Sequence, residues 1–266
     1  MEGKVFIIGA GPGDPGLLTI KARDVLMSCD CVVYDYLVNT EILNYARPDA
    51  ERIYVGKRSG EHYVPQEYIN QLLIAKALEG KLVGRLKGGD PFIFGRGGEE
   101  AEALVSVGIP WEVIPGISSA YAVPAYAGIP VTHRSYSSSV AFITGHEDAC
   151  RSSSRIQWEK LATAVDTLVF LMCVKSLPAI VANLICYGRD PSTPVAIIRW
   201  GTYTHQETFT GTLGAIVEIA ERHRIEPPAV VVVGDVVSLV EKLNWFQLCA
   251  DKDAGAPLAG AQLVGV

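Results

Sequence analysis

The sequence predicts an α/β protein in two parts, a mostly parallel sheet over residues 1–114 and a mixed sheet over residues 115–246. Three observations predict it. Short apolar runs alternate with helical patterns in the first half, as in a parallel sheet covered on both faces. Several of those runs end in glycine-dense turns. After Pro115-Gly116 the strands become threonine-flanked, and residues 205–211 (HQETFTG) have the alternation of a hairpin strand.

Residues 4–9 (KVFIIG) read as a buried parallel strand. A helix follows over 17–28, with Leu18, Ala22, Val25 and Leu26 near helical spacing. Residues 31–36 (CVVYDY) form a second strand. A helix over 68–79 is stopped by Gly80. The pattern then gives a strand at 82–86, a helix at 99–107 and a strand at 111–114. In the second part a small-residue helix is predicted over 118–127, with strands at 138–144, 167–172, 195–200 and 229–233. Residues 247–266 lose all periodicity and read as a disordered tail.

Composition narrows the function. Of 266 residues, 49% are hydrophobic and 20% charged, which excludes a disordered or fibrous chain. The net charge of −6 argues against broad binding to nucleic acid or an anionic membrane. No apolar run approaches the ~20 residues of a membrane span. The cysteines (Cys29, Cys31, Cys150, Cys173, Cys186, Cys249) lack metal-ligand spacing, so structural thiols and no metal are expected, with Cys29 and Cys31 buried in a strand. With the first strand starting at residue 4, no targeting segment is expected ahead of it, and a cytoplasmic compartment follows.

The loop Gly9-Ala10-Gly11-Pro12-Gly13-Asp14, with Asp35 ending the next strand, superficially matches a dinucleotide fingerprint. Asp14 stands where the third glycine belongs, and Pro12 removes an amide that would face a pyrophosphate. A nicotinamide or flavin is therefore not expected. The most unusual stretch is LKGGDPFIFGRGGEE (residues 86–100). Glycines so dense after a buried strand suit a backbone that approaches a ligand closely. Phe92, Ile93 and Phe94 do not suit an idle solvated loop. No motif for covalent catalysis or phosphoryl transfer is present.

Read in order, GAGPGDPGLLT, VVYDYLV, VGKRSG, LKGGDPFIFGRGGEE, IPGISSA, GIPVTHR and TGHED resemble the successive motifs of the tetrapyrrole methylases, the class III methyltransferases. LKGGDPFIFGRGG resembles their uroporphyrinogen-III C-methyltransferase branch. The resemblance implies a two-domain fold with S-adenosyl-L-methionine in the cleft between the domains and S-adenosyl-L-homocysteine as product. It implies cofactor contacts from Pro12, Gly88, Gly89, Asp90, Ile93, Ser118, Ser119, Met172, Gly201 and Ala229. Asp35 and Lys57 match positions with acid–base duties, base and acid respectively; structural hydrogen bonding is an equal reading of Asp35. Ser118 replaces the usual threonine, and Cys173 follows Met172 where glycine is common and would crowd the adenine pocket slightly.

The implied reaction is methylation of uroporphyrinogen III at C2 and C7, giving precorrin-2 by way of precorrin-1. The alternatives are methylation of a later corrin precursor and a non-catalytic sensor with the same cleft. An acidic chain that takes an octa-anionic tetrapyrrole must gather cations locally, and Arg58, Lys87, Arg96, His133 and Arg134 are the candidates beside the motifs. A homodimer is also implied.

Overall fold

The computed structural model describes residues 3–56, 64–145 and 155–246. Lys57, Arg58, His146, Cys150, Cys249 and the expected tail lie outside the described residues. Contacts divide the chain into one unit through Ala122 together with Gly201–Tyr203, and a second formed by Val123–Trp200 and the residues from Thr204 onward.

The first unit is built on five parallel strands. They are β1 (Lys4–Gly9), β2 (Cys31–Tyr34), β3 (Glu51–Tyr54), β4 (Leu82–Lys87) and β5 (Trp111–Ile114), in the order β3-β2-β4-β1-β5. The alternation of β1 explains why its sequence is apolar throughout. Phe6 and Ile8 pack on one face with Ala22, Leu26, Ile42 and Leu86. Val5 and Ile7 pack on the other with Leu73, Val83 and Leu104. Both faces are covered, so both registers must be hydrophobic.

The helices are α1 (Ile20–Leu26), α2 (Gln66–Leu78) and α3 (Gly97–Ser106). The single helix expected over 17–28 is split by two successive caps. Asp14 accepts from Gly16 N–H at 2.7 Å to close a 3-10 turn at Pro15–Leu17. Thr19 then accepts from Ala22 N–H at 3.2 Å and starts α1. The strand expected over 31–36 stops at Tyr34, which leaves Asp35 on the loop that follows. The edge strand β3 is an addition, because Glu51 and Arg52 obscure its short apolar pattern.

The first unit runs past residue 114 because the chain leaving β5 stays bound to it. Gly116 N–H donates to Asp90 Oδ2 at 3.0 Å. Only at α4 (Ser119–Tyr126) does the contact boundary fall, between Ala122 and Val123.

The second unit carries β6 (Val140–Thr144), β7 (Thr167–Leu171), β8 (Pro194–Arg199), β9 (Glu207–Thr212) and β10 (Ala229–Val233), in the order β6-β7-β10-β8-β9. The β6–β7 pair is parallel and the other pairs antiparallel, so this sheet is mixed as expected. The predicted hairpin strand pairs with β8, Glu207 lying opposite Arg199. The 3-10 turns at Thr40–Tyr45 and Asp235–Leu239 add to the two units, and helices α5 (Trp158–Ala164), α6 (Leu177–Cys186), α7 (Ile216–Arg222) and α8 (Val240–Leu243) belong with this sheet. Phe170, Leu168, Ile197 and Val231 form their core with Leu184 and Ile216.

A buried charge cluster joins β4 to α3. Arg85 and Lys87 alternate onto the face covered by α2 and α3, where Glu100 is fully buried. Glu100 Oε1 accepts from Lys87 Nζ at 2.9 Å, Arg85 Nε at 3.1 Å and Gln66 Nε2 at 3.2 Å. Burial alone would raise the Glu100 pKa, but the two cations outweigh it and hold the group below the usual carboxylate range. Burial, reinforced by Arg85, pushes Lys87 down. Glu100→Gln removes the anion these two cations share. A loss of about 3–5 kcal/mol in urea unfolding is expected, and a loss below about 1 kcal/mol would show that the cluster does not depend on that charge.

Candidate active site

Three turns leave the carboxyl edge of the first sheet and lock together through backbone. Ala10 N–H donates to Lys87 C=O at 2.7 Å. Gly11 and Gly89 exchange two hydrogen bonds, 2.7 Å from Gly89 N–H and 3.2 Å from Gly11 N–H. A Cβ on Gly116 would lie 2.7 Å from Gly9 Cα and would overlap the Gly89 carbonyl. Only glycine permits that approach of the β5 exit to β1 and β4. This is the edge at which parallel α/β sheets bind ligands.

Gly89 has φ 69°, and a Cβ there would enter open space beside Ser119 N–H, 3.8 Å away. A side chain would therefore occupy space that the glycine leaves open. Gly88 packs against Leu37. Ser118 is buried and its Oγ accepts from Ala120 N–H at 3.2 Å, capping α4, while Ser119 opens that helix. Pro12 is half-buried in the β1 exit loop. Asp90, a cofactor contact by resemblance, is hydrogen-bonded within its own turn and to the β5 exit. Its Oδ1 accepts from Phe92 N–H at 2.8 Å and Ile93 N–H at 3.2 Å, and its Oδ2 is taken by Gly116. Its carboxylate shapes the turn.

Phe92, Ile93 and Phe94 beyond that turn are exposed, as are Tyr36 and Leu37 after β2, so this edge presents apolar side chains to solvent. Phe94 and Arg96 adopt left-handed φ of 52° and 60°. Such strain in residues with side chains is held by surrounding structure and collects at functional sites.

Asp35 sits one residue past β2. Its Oδ2 accepts from Arg85 Nη2 at 3.2 Å, and its Oδ1 is buried without a hydrogen-bond partner among the described residues. An unmatched buried carboxylate oxygen is suited to accepting a proton or donor from a ligand. Arg85 was not among the candidates read from sequence. Its signal is an arginine inside an otherwise buried strand, LVGRLK.

The expected cation set is redistributed. Lys87 is 4% exposed and committed to Glu100, so it does not face a substrate; inward alternation on β4 is the reason. Arg96 is exposed and pairs bidentately with Glu99 at 2.9 and 2.7 Å. His133 and Arg134 belong to the second unit, where His133 Nδ1 accepts from Ser135 N–H at 3.1 Å and Arg134 is exposed.

In the second unit, antiparallel register places the start of β10 beside the ends of β7 and β8. Ala229 pairs with Arg199 and Val230 with Leu171, so Ala229 and Met172 share one end of that sheet. Met172 is 52% exposed with φ 54°. Cys173 differs from expectation, being fully buried in the core, its thiol pushed up to about 12 by burial, and it presents nothing to a pocket. Burial likewise raises Cys29 to about 12 and Cys31 to about 11, as suits structural thiols. Gly201 groups with the first unit, where the neighbouring Thr202 Oγ1 accepts from Asp14 N–H at 3.1 Å.

Comparison with known proteins places these features in a family. A protein of Priestia megaterium named uroporphyrinogen-III C-methyltransferase is 52% identical over 236 residues, 89% of this chain and 99% of that protein. A siroheme synthase of Pseudomonas entomophila is 52% identical over 246 residues, and the chain spans 52% of its length. The crystal structure of the Thermus thermophilus uroporphyrin-III C-methyl transferase complexed with S-adenyl homocysteine superposes with a TM-score of 0.75 at 36% identity, covering 88% of this chain and 93% of that one. Residues 4–217 match the family model described as tetrapyrrole (corrin/porphyrin) methylases, and the chain belongs to that family.

Proposed function

We propose that this protein transfers methyl groups from S-adenosylmethionine to C2 and C7 of uroporphyrinogen III, giving precorrin-2 by way of precorrin-1, in the sirohaem/cobalamin branch of tetrapyrrole biosynthesis. The observation that carries the reading is the 52% identity to the Priestia megaterium enzyme over 99% of its length. The open space at Gly89 and the unmatched Asp35 oxygen fit a ligand at the carboxyl edge.

Bound S-adenosylmethionine supplies a methyl group activated on a sulfonium. Backbone at Gly89 offers it close approach, Pro12 and Gly88 are assigned to it by resemblance, Asp90 holds the turn, Ile93 adds apolar surface and Ser118 and Ser119 the adjoining helix start. Met172, Gly201 and Ala229 are assigned to it by resemblance. With that cofactor as methyl donor, the ring carbon would act as the nucleophile, and no side chain need form a covalent bond. Positive charge passes to the ring and is discharged as a proton, which Asp35 accepts, with Lys57 as the acid partner. Positioning supplies most of the rate, because the substrate carbon is itself the nucleophile. Arg58, Arg96, His133 and Arg134 meet the substrate carboxylates, a site in the cytoplasm is assigned, and the working assembly is a two-fold dimer.

The test is anaerobic incubation of uroporphyrinogen III with S-adenosylmethionine. Dimethylated product is expected; recovery of unmodified substrate would contradict the reading. Gly89→Val fills the open space and Asp90→Ala frees the turn, so each is expected to weaken S-adenosylmethionine binding by calorimetry about tenfold or more, roughly 1.4 kcal/mol. Unchanged affinity in both folded variants would remove the turn from the binding site. Light scattering is expected to give twice the chain mass at micromolar concentration, and a monomer would contradict the dimer.

A further inference from the structure

Arg85 lies beneath the candidate base and is bonded on every side. It is 2% exposed, on a strand flanked by β1 and β2, where a guanidinium is costly to bury without partners. Its Nη1 donates to Leu86 C=O at 3.2 Å and reaches Val33 C=O at 3.5 Å. Its Nε is held by Glu100, which Lys87 and Gln66 fix in turn. The one direction left to the fork leads to Asp35 Oδ2, at 3.2 Å.

The chain of contacts therefore runs from a fully buried carboxylate, through a rigid planar cation, to a carboxylate that is 28% exposed. A lysine could neutralise Glu100, but it could not span both carboxylates in fixed planar geometry. Pinning Oδ2 from below sets the rotation of the Asp35 carboxyl group and so the direction of the unmatched Oδ1.

We propose that Arg85 is a positioning residue for the methylation reaction, a buried strut that aims Asp35 Oδ1 at the proton it removes and is itself braced by Glu100, Lys87 and Gln66. The proposal rests on the methyl-transfer reading and deepens it. The reaction needs a proton acceptor once charge has passed to the ring, and a misaimed acceptor slows that step without weakening ligand binding.

The test is a double-mutant cycle with Arg85→Lys and Asp35→Asn, measured as kcat, KM for uroporphyrinogen III and the S-adenosylmethionine dissociation constant. Arg85→Lys keeps a cation beside Glu100 and so protects the fold; urea unfolding checks this directly. Arg85→Lys alone is expected to lower kcat roughly ten- to hundredfold, with KM and cofactor affinity within about twofold. In the Asp35→Asn background the same change is expected to have no further effect on kcat, because the two residues act as one unit. Gln66→Leu, which loosens the brace without touching Asp35, is expected to lower kcat in the same sense by a smaller factor. Additive losses in the cycle, or losses in cofactor affinity that match those in kcat, would overturn the proposal while leaving methyl transfer intact. A wild-type protein that methylates no tetrapyrrole would overturn the underlying reading and the proposal with it.

Discussion

The candidate site depends on the backbone contact among Gly9, Gly89 and Gly116. Three strand exits converge there without an intervening side chain, and the Gly11–Gly89 hydrogen bonds close the junction. Asp90 contributes from the side, its two oxygens tying the β4 turn to itself and to Gly116. The polar backbone groups of these turns are largely used among themselves, so the loops form a shaped surface in place of mobile connections. Gly89, open on its outer side, is where that surface leaves room.

Under this edge lies a buried polar layer. Arg85, Lys87, Glu100 and Gln66 are expensive to desolvate, and an apolar cluster of similar volume would be as stable or more so. Their retention makes sense as geometry. The layer links α2, α3 and β4 to Asp35, the first residue beyond β2, and so couples the acid–base group to the rigid sheet. Several departures from good backbone geometry follow strand ends in each unit. Phe94 and Arg96 follow the β4 turn, and Met172 and Trp200 follow β7 and β8, all with positive φ.

Much of this was legible in the sequence because it rests on local patterns. The apolar runs of β1, β2, β4, β5 and β10 gave their strands within about two residues, and the shift at Pro115 announced the mixed sheet. The glycine-dense stretch pointed to the turn that the structure places at the sheet edge. Other features depend on which way a side chain faces. Lys87 read as a cation for the substrate carboxylates, yet alternation on β4 turns it inward to Glu100. Asp90 read as a cofactor contact, and its role in holding the turn rests on Phe92, Ile93 and Gly116 amides that lie up to 26 positions away. Arg85 shows in the sequence only as a charge within the apolar β4 run, and long-range register brings it to Asp35. The charged edge strand β3 and the two caps at Asp14 and Thr19 escaped for the opposite reason, their signals being too short for a periodicity window.

The central claim is that the turns at Gly9, Gly89 and Gly116 form one rigid platform in the free protein. Amide hydrogen exchange without ligand tests it most directly, read at Ala10, Gly89 and Gly116, whose N–H groups donate to Lys87 C=O, Gly11 C=O and Asp90 Oδ2. The account expects protection close to that of Ile7 in β1, opening only with the unfolding of the whole unit. Exchange at the rate of an open loop, with protection arising only on addition of S-adenosylmethionine, would contradict it.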